Sequence, residues 1–123
     1  MILVDTSVWI SFLHGEAGTA SLTGSLEQDA VLSHPWVTGE LMLGSLGRRR
    51  DEIIADLNRL PASPLLNERE MHTLIDAQKL AGTGIGWVDA QLIGSALIAG
   101  ALLWTLDRRL AKVASRLGVG HVA

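Results

Sequence analysis

The chain has 123 residues, of which 48% are hydrophobic, and its formal net charge is −3. This length predicts one domain spanning residues 1–123, with enough apolar side chains to bury a core without cross-links. The absence of cysteine excludes a disulfide framework and a thiolate metal site, and it fits a reducing cytoplasm. The negative charge argues against a non-specific nucleic-acid binder, unless bound cations reverse the field at an acidic site.

The sequence predicts no targeting or membrane segment. No basic stretch precedes the first apolar run, and Asp5 interrupts that run, so it does not have the form of a signal peptide. The longest apolar stretch is interrupted by Asp89, Gln91 and Gly94, and it falls short of the ~18–20 residues of a membrane span. We therefore expect a cytoplasmic protein with no membrane association.

The first half of the chain alternates short strands with helices. Residues 2–4 are too few for a buried helix and predict a strand, whereas the apolar spacing of residues 6–14 predicts a helix that stops before Gly15. Pro35 suits the first turn of another helix, which ends near Gly44. The remaining predictions here are a weaker helix over 19–28, a strand at 31–32 and a helix over 50–60.

The second half continues this alternation. Asn67 and Glu70 have the spacing of a capping box, which predicts a helix start. Residues 88–99 are apolar on almost every side, so this helix is predicted to be sandwiched in the core. The other predicted elements are strands at 65–66, 101–105 and 119–122 and a helix over 108–117. This order predicts an α/β fold with a parallel sheet covered on both faces.

Four acidic residues follow apolar strands or lie within apolar segments: Asp5, Glu40, Asp89 and Asp107. In open α/β sheets, ligands bind outside the carboxyl ends of the strands, and two of these acids stand at such ends. Glu40 shares a helical side with Trp36, Val37 and Leu43, which predicts an acid on an apolar face. Because carboxylates are seldom buried without a cation, we expect the four to converge on a common site.

Capping is the main alternative for the aspartates, since Asp is a favoured N-cap. For Glu40, the alternative is a buried ion pair with a distant base. A shared all-oxygen site would instead hold one or two hard cations, Mg²⁺ or Mn²⁺. Such ions could activate a water and stabilise charge at phosphorus without a protein nucleophile.

Several further side chains are candidates for supporting roles. Thr6 and Thr105 stand close enough to Asp5 and Asp107 in sequence to orient a carboxylate or a water by hydrogen bonds. Trp36 or Trp87 could stack on a base, although core packing is the simpler interpretation. The four histidines form no pair at metal-ligand spacing, which favours surface or packing roles.

Four segments around these acids resemble the sequence motifs of a known protein family. Residues 4–10 (VDTSVWI) resemble the opening motif of the PIN-domain nucleases, specifically of VapC-type toxins. Residues 38–41 (TGEL), 89–93 (DAQLI) and 105–110 (TLDRRL) resemble their second, third and fourth acidic motifs, in the same order along nearly the whole chain.

This resemblance implies an α/β/α sandwich with a parallel sheet and Mg²⁺- or Mn²⁺-dependent endoribonuclease activity. It also implies a homodimer, RNA as substrate, and inhibition by a cognate VapB-like antitoxin. On physical grounds we expect the antitoxin to place an Arg beside Asp5 and Asp89. An amphipathic helix of the antitoxin would then pack around Trp9, Phe12 and Leu13.

Two other functions compete with this hypothesis. One is a Mg²⁺-dependent phosphatase or phosphotransfer domain of another α/β family, although Ser7 stands where such sites commonly carry a second Asp. The other is a non-catalytic interaction module whose acids serve as caps and ion pairs.

Overall fold

A short parallel sheet organises the fold of this chain. The computed structural model describes residues 1–122. The sheet consists of β1 (Ile2–Val4), β2 (Val31–Leu32) and β3 (Leu102–Trp104) in the order β2-β1-β3. In the parallel pairings, Leu3 lies opposite both Leu32 and Leu103. Because all three strands point the same way, their carboxyl ends meet at one edge of the sheet.

Seven α-helices surround this sheet within the described residues. They are α1 (Thr6–Leu13), α2 (Leu22–Glu27), α3 (Pro35–Leu43), α4 (Arg50–Arg59), α5 (Glu68–Ala77), α6 (Trp87–Ala99) and α7 (Arg108–Arg116). Helices α1, α3 and α4 pack in sequence on one another, α5 packs on α6, and α6 and α7 contact β3. The arrangement is the predicted three-layer α/β/α sandwich with a short parallel sheet.

The core is formed by the sheet together with residues of all seven helices, and α6 contributes the longest buried run. Leu3 and Val4 of β1 and Leu103 of β3 are buried, as expected for strands covered on both faces. In α6, seven consecutive residues from Ala90 to Ala96 are buried, which confirms that this helix is sandwiched. A side chain at Gly94 would place its Cβ only 2.6 Å from Leu66 Cδ2, so glycine permits the close approach of the preceding segment to α6.

The predicted strand at residues 65–66 is wrong. A side chain replaces strand pairing there: the Gln91 Oε1 accepts from the Leu66 N–H at 2.7 Å, and its Nε2 donates to the Leu66 carbonyl at 3.1 Å. The only backbone bridge of this stretch joins Ser33 to Ala62, a few residues earlier. Leu66 can therefore be buried outside a strand, because Gln91 satisfies both its backbone N–H and its carbonyl.

The remaining differences concern element ends. The predicted final strand at 119–122 is reduced to a single bridge between Leu103 and Gly120, and Val122 is 90% exposed. The weak helix predicted over 19–28 covers only Leu22–Glu27, after a short 3₁₀ turn at Ala17–Thr19. Among residues 1–122, no helix has the length and apolarity needed to cross a lipid bilayer.

Candidate active site

Asp5 lies at the carboxyl end of the central strand and is the most enclosed of the four predicted acids, at 7% exposure. Its Oδ1 accepts from the Thr6 N–H at 2.8 Å. Its Oδ2 accepts from the Ser7 hydroxyl at 2.9 Å and from the Thr105 hydroxyl at 2.7 Å. Three donors therefore fix the orientation of this carboxylate, and none of them neutralises its charge.

Ser7 is a site residue that sequence reasoning did not identify. Its hydroxyl donates to Asp5 and also accepts from the Leu106 N–H at 3.0 Å, which connects α1 to the loop after β3. Thr105 closes the same network, because its hydroxyl accepts from the Asp107 N–H at 3.0 Å. The predicted supporting role of Thr105 therefore has a structural counterpart in its contacts with Asp5 and Asp107.

Glu40 reaches the same edge from α3, but not as the sequence suggested. Its side of α3 is exposed, as is Leu43, whereas Val37 and Leu41 form the buried side of this helix. The prediction of an acid on a buried apolar face is therefore wrong, because only a narrow stripe of this short helix meets the core. The Thr6 hydroxyl donates to Glu40 Oε1 at 2.7 Å and links α3 to α1.

Asp89 occupies the first turn of α6 and is partly buried. Burial raises the pKa of its carboxyl, and the negative charges of Asp5, Asp107 and Glu40 raise this pKa further. A hydrogen bond from the Gly86 N–H at 3.4 Å opposes the rise. Hydrogen bonds connect the other three acids, because Thr6 contacts both Asp5 and Glu40 and Thr105 contacts both Asp5 and Asp107. Asp89 is near enough for their charges to raise its pKa. We call this group of four acids the acidic edge.

Asp107 combines an exposed position at the acidic edge with the capping role considered as the alternative. Its Oδ1 accepts from the N–H groups of Arg109 and Leu110 at 2.9 and 3.0 Å, as an N-cap of α7 does. Asp5 likewise caps α1. Capping and a role at the acidic edge are therefore compatible, since each uses different lone pairs of the carboxylate.

The chemistry of the acidic edge fits a hard divalent cation. No acid of this edge takes part in the four ion pairs found among residues 1–122. Within the same residues, no three acidic or histidine side chains stand close enough together to form a preformed metal cage. A Mg²⁺ ion at this edge would therefore be held mainly through water, with one or two carboxylates as direct ligands, which is the usual coordination of this ion in proteins.

The aromatic and histidine candidates lie outside this network. Trp87 is 46% exposed and meets His72 edge to face, with ring centroids 6.2 Å apart. Trp36 packs in the same manner on His34, at 6.1 Å. His34 is fully buried; its Nδ1 accepts from the Trp36 N–H, and its Nε2 lies 3.1 Å from the Ser95 hydroxyl. His34 is thus a packing and capping residue, as expected.

The fold and the acidic edge define a class of protein. A family model described as "PIN domain" matches residues 2–116 of the chain, which nearly coincides with the span from β1 to the end of α7. The chain belongs to the PIN-domain family and, within it, to the VapC-type ribonucleases.

The relatives that support this assignment are two proteins named Ribonuclease VapC32. One comes from Mycobacterium tuberculosis strain CDC 1551 / Oshkosh and the other from strain ATCC 25618 / H37Rv. Each is 44% identical to this chain over 120 residues, which is 97% of this chain and 94% of the relative. The similarity therefore extends over all the elements that form the acidic edge.

Proposed function

We propose that this chain is a Mg²⁺- or Mn²⁺-dependent endoribonuclease, the toxin of a VapBC-type toxin–antitoxin pair, and that residues 1–123 form its single nuclease domain. The observation that carries this proposal is the acidic edge, where an enclosed and hydrogen-bonded Asp5 lies near three further acids and none of the four has an ion-pair partner among residues 1–122. Mutual repulsion among carboxylates is costly, and a bound cation would relieve it.

Asp5, Glu40, Asp89 and Asp107 would hold the ion, partly through water. A divalent ion supplies an activated water and stabilises the negative charge that develops on the phosphate oxygens. Hydrolysis forms one bond between water oxygen and phosphorus and breaks one phosphorus–oxygen bond to ribose, so the chain needs no covalent nucleophile.

The side chains around Asp5 would act by orientation. Ser7 and Thr105 hold one carboxylate oxygen and the Thr6 N–H holds the other, which limits rotation of the group. The Thr6 hydroxyl restrains Glu40 in the same manner across a helix boundary. Such supporting partners commonly change metal affinity or activity by about 10- to 100-fold when removed.

Cleavage of a structured RNA by the purified chain tests the proposal. We expect cleavage with Mg²⁺ or Mn²⁺, no cleavage with EDTA, and loss of cleavage in Asp5→Asn. Asp76→Asn is the matched control, because Asp76 is an exposed acid of α5 outside the acidic edge. Hydrolysis of phosphate monoesters alone would favour the phosphatase hypothesis, and no hydrolysis of either substrate would favour the interaction module.

A groove beside the acidic edge supports the proposed antitoxin partner. It has two adjoining parts of about 430 and 260 Å³, which share Leu13, Arg49 and Ile53. Glu40 lines the first part and Trp9 the second, so the groove runs from the acidic edge along α1 and α4.

An amphipathic antitoxin helix would place its apolar anchors in this groove and an Arg beside Asp5 and Asp89. Calorimetric titration of the antitoxin should show weaker binding as Mg²⁺ rises, since metal and guanidinium compete for the same oxygens. Leu13→Asp should weaken binding, whereas Leu65→Asp, at an exposed position outside the groove, should not. Affinity indifferent to both Mg²⁺ and Leu13→Asp would contradict this arrangement.

The proposed homodimer is tested separately by light scattering of the purified chain. A monomer at micromolar concentration would contradict this part of the proposal and leave the nuclease assignment unaffected.

A further inference from the structure

A stripe of positive charge runs along α7, directly after Asp107. The helix carries Arg108, Arg109, Lys112 and Arg116, all exposed, and it contains no acidic residue. Its opposite side, with Leu110 and Ala114, is buried in the core. This concentration of cations contrasts with the net charge of −3 for the whole chain.

The charge of this stripe is not neutralised within the protein. The ion pairs found in residues 1–122 all lie on α4, its preceding turn or α5. Cations spaced three or four residues apart on a helix repel one another, as Lys112 and Arg116 do here. Arg108 and Arg109 also occupy the first turn, where the helix dipole disfavours positive charge. A polyanion on this surface would relieve all of these repulsions.

The stripe also has a shape that a chain of phosphates could occupy. Arg109, Lys112 and Arg116 line a cleft of about 460 Å³, whose other wall is the loop at Gly82 and Thr83. Arg109 is preorganised because its side chain lies against Gly84: a Cβ added there would stand 2.9 Å from Arg109 Cδ. Gly84 also has a φ of +85°, so glycine is favoured at this position for two reasons.

The position and length of the stripe relate it to the acidic edge. Asp107 caps α7, so the cations begin where the acidic edge ends. At about 1.5 Å per residue, the helix from Arg109 to Arg116 covers about 10 Å. A helix face of this length can contact a few successive phosphates of one strand.

We infer that the α7 stripe and its cleft bind the phosphate backbone of the RNA on one side of the scissile bond. This inference rests on the proposed ribonuclease function and adds the path of the substrate. Lys112 and Arg109 would contact phosphates directly. Arg116 is already partly engaged, because it donates to the Gln78 carbonyl and fastens α7 to the end of α5.

The salt dependence of RNA binding tests this inference. A fluorescent single-stranded RNA is titrated with the full chain in EDTA, which prevents metal-dependent cleavage, at salt concentrations from about 50 to 200 mM. Removal of one phosphate contact should lower the slope of log affinity against log salt by about 0.7. We expect that decrease for Lys112→Gln and about 1.4 for Arg109→Gln/Lys112→Gln.

Two controls make the result specific. Arg69→Gln removes an equal charge from an exposed position on α5 and should leave the slope unchanged. Lys112→Gln alone avoids the contact between Arg109 and Gly84, so it still tests the stripe if the double variant is unstable. With Mg²⁺ present, Lys112→Gln should raise KM for RNA cleavage and leave kcat unchanged.

The inference is overturned if the chain does not bind RNA, if the α7 variants keep the parental slope, or if Arg69→Gln lowers it equally. Loss of antitoxin binding with an unchanged RNA slope would assign the stripe to a protein partner and also overturn it. RNA cleavage that persists in Asp5→Asn would refute the proposed function, while the slopes would still decide whether α7 binds RNA.

Discussion

The acidic edge and the polar side chains inside the sandwich differ in whether their charges and hydrogen-bonding groups have partners within the protein. Inside, Gln91 satisfies both backbone groups of Leu66, and Ser95 joins His34 to the Pro64 carbonyl, to which its hydroxyl donates at 2.6 Å. We call Gln91, His34 and Ser95 the interior polar set. Each of its groups has a protein partner.

At the acidic edge, hydrogen bonds orient the carboxylates, but no cation of residues 1–122 forms an ion pair with them. This difference separates polar groups that serve the fold from the carboxylates that we propose bind a cation. Substitutions in the interior polar set should lower stability, whereas substitution of Asp89, which is not an N-cap, should lower activity and leave stability intact.

The largest effect on stability is expected for Gln91→Leu. This change leaves the buried Leu66 N–H and C=O without partners, and each unsatisfied group costs about 1–3 kcal/mol. Chemical denaturation should therefore show a loss of about 4 kcal/mol in the free energy of unfolding. Gln28→Leu, at an exposed helix end, is the control and should change little. A loss below about 1 kcal/mol would mean that the Gln91–Leu66 pair does not support the fold.

The next largest effect is a loss of stability at acidic pH caused by protonation of His34. Burial lowers the pKa of His34 from 6.5 to about 4. Burial disfavours protonation of His34 in the folded state. The free energy of unfolding therefore keeps its full value above pH 6.5 and falls as the pH drops towards 4. The loss is on the order of 3 kcal/mol.

Denaturation at several pH values checks this expectation. His34→Asn keeps an N-cap acceptor for α3 but removes the titrating group, so it should flatten the decline. His72→Gln, at an exposed position, should preserve the decline. An equally steep decline in His34→Asn would assign the acid sensitivity to other groups.

A smaller effect, and on activity rather than stability, is expected for Ser7→Ala. The change removes one of the two hydroxyls on Asp5 Oδ2, while Thr105 remains in place. Cleavage should fall by about 10- to 100-fold, with little change in unfolding. The control is Ser25→Ala on α2, away from the acidic edge. Full activity in Ser7→Ala would show that Thr105 alone fixes the carboxylate.

Sequence patterns predicted the elements of the fold correctly where capping residues or the hydrophobic pattern match the burial found in the structure. The run at 2–4, the capping box at Asn67 and Glu70, and the apolar α6 were all confirmed. In each case, hydrophobic burial or capping by residues within a short stretch of sequence is enough to determine the element. The prediction of a strand at 65–66 was wrong because the Leu66 backbone is hydrogen-bonded to the side chain of Gln91, 25 positions away, which no local pattern reveals.

The candidate site was predictable in outline for a related reason. Asp5 and Asp107 follow strands that end at one edge of a parallel sheet, so the topology places these two acids near each other. The exposure of Glu40 was not predictable, because it depends on how little of α3 meets the core. Ser7 was missed because its two contacts, Asp5 and Leu106, become neighbours only when β1 and β3 pair.

The central claim is that the acidic edge holds a divalent cation, and thermal unfolding of Asp89→Asn with Mg²⁺ or EDTA tests it most directly. In EDTA, removal of one repelling charge should leave the Tm unchanged or raise it. Mg²⁺ should raise the Tm of the parent chain through binding to the folded state, and Asp89→Asn should lose most of this gain together with RNA cleavage. Equal Mg²⁺ stabilisation of both proteins, or a lower Tm of Asp89→Asn in EDTA with normal cleavage, would contradict the claim.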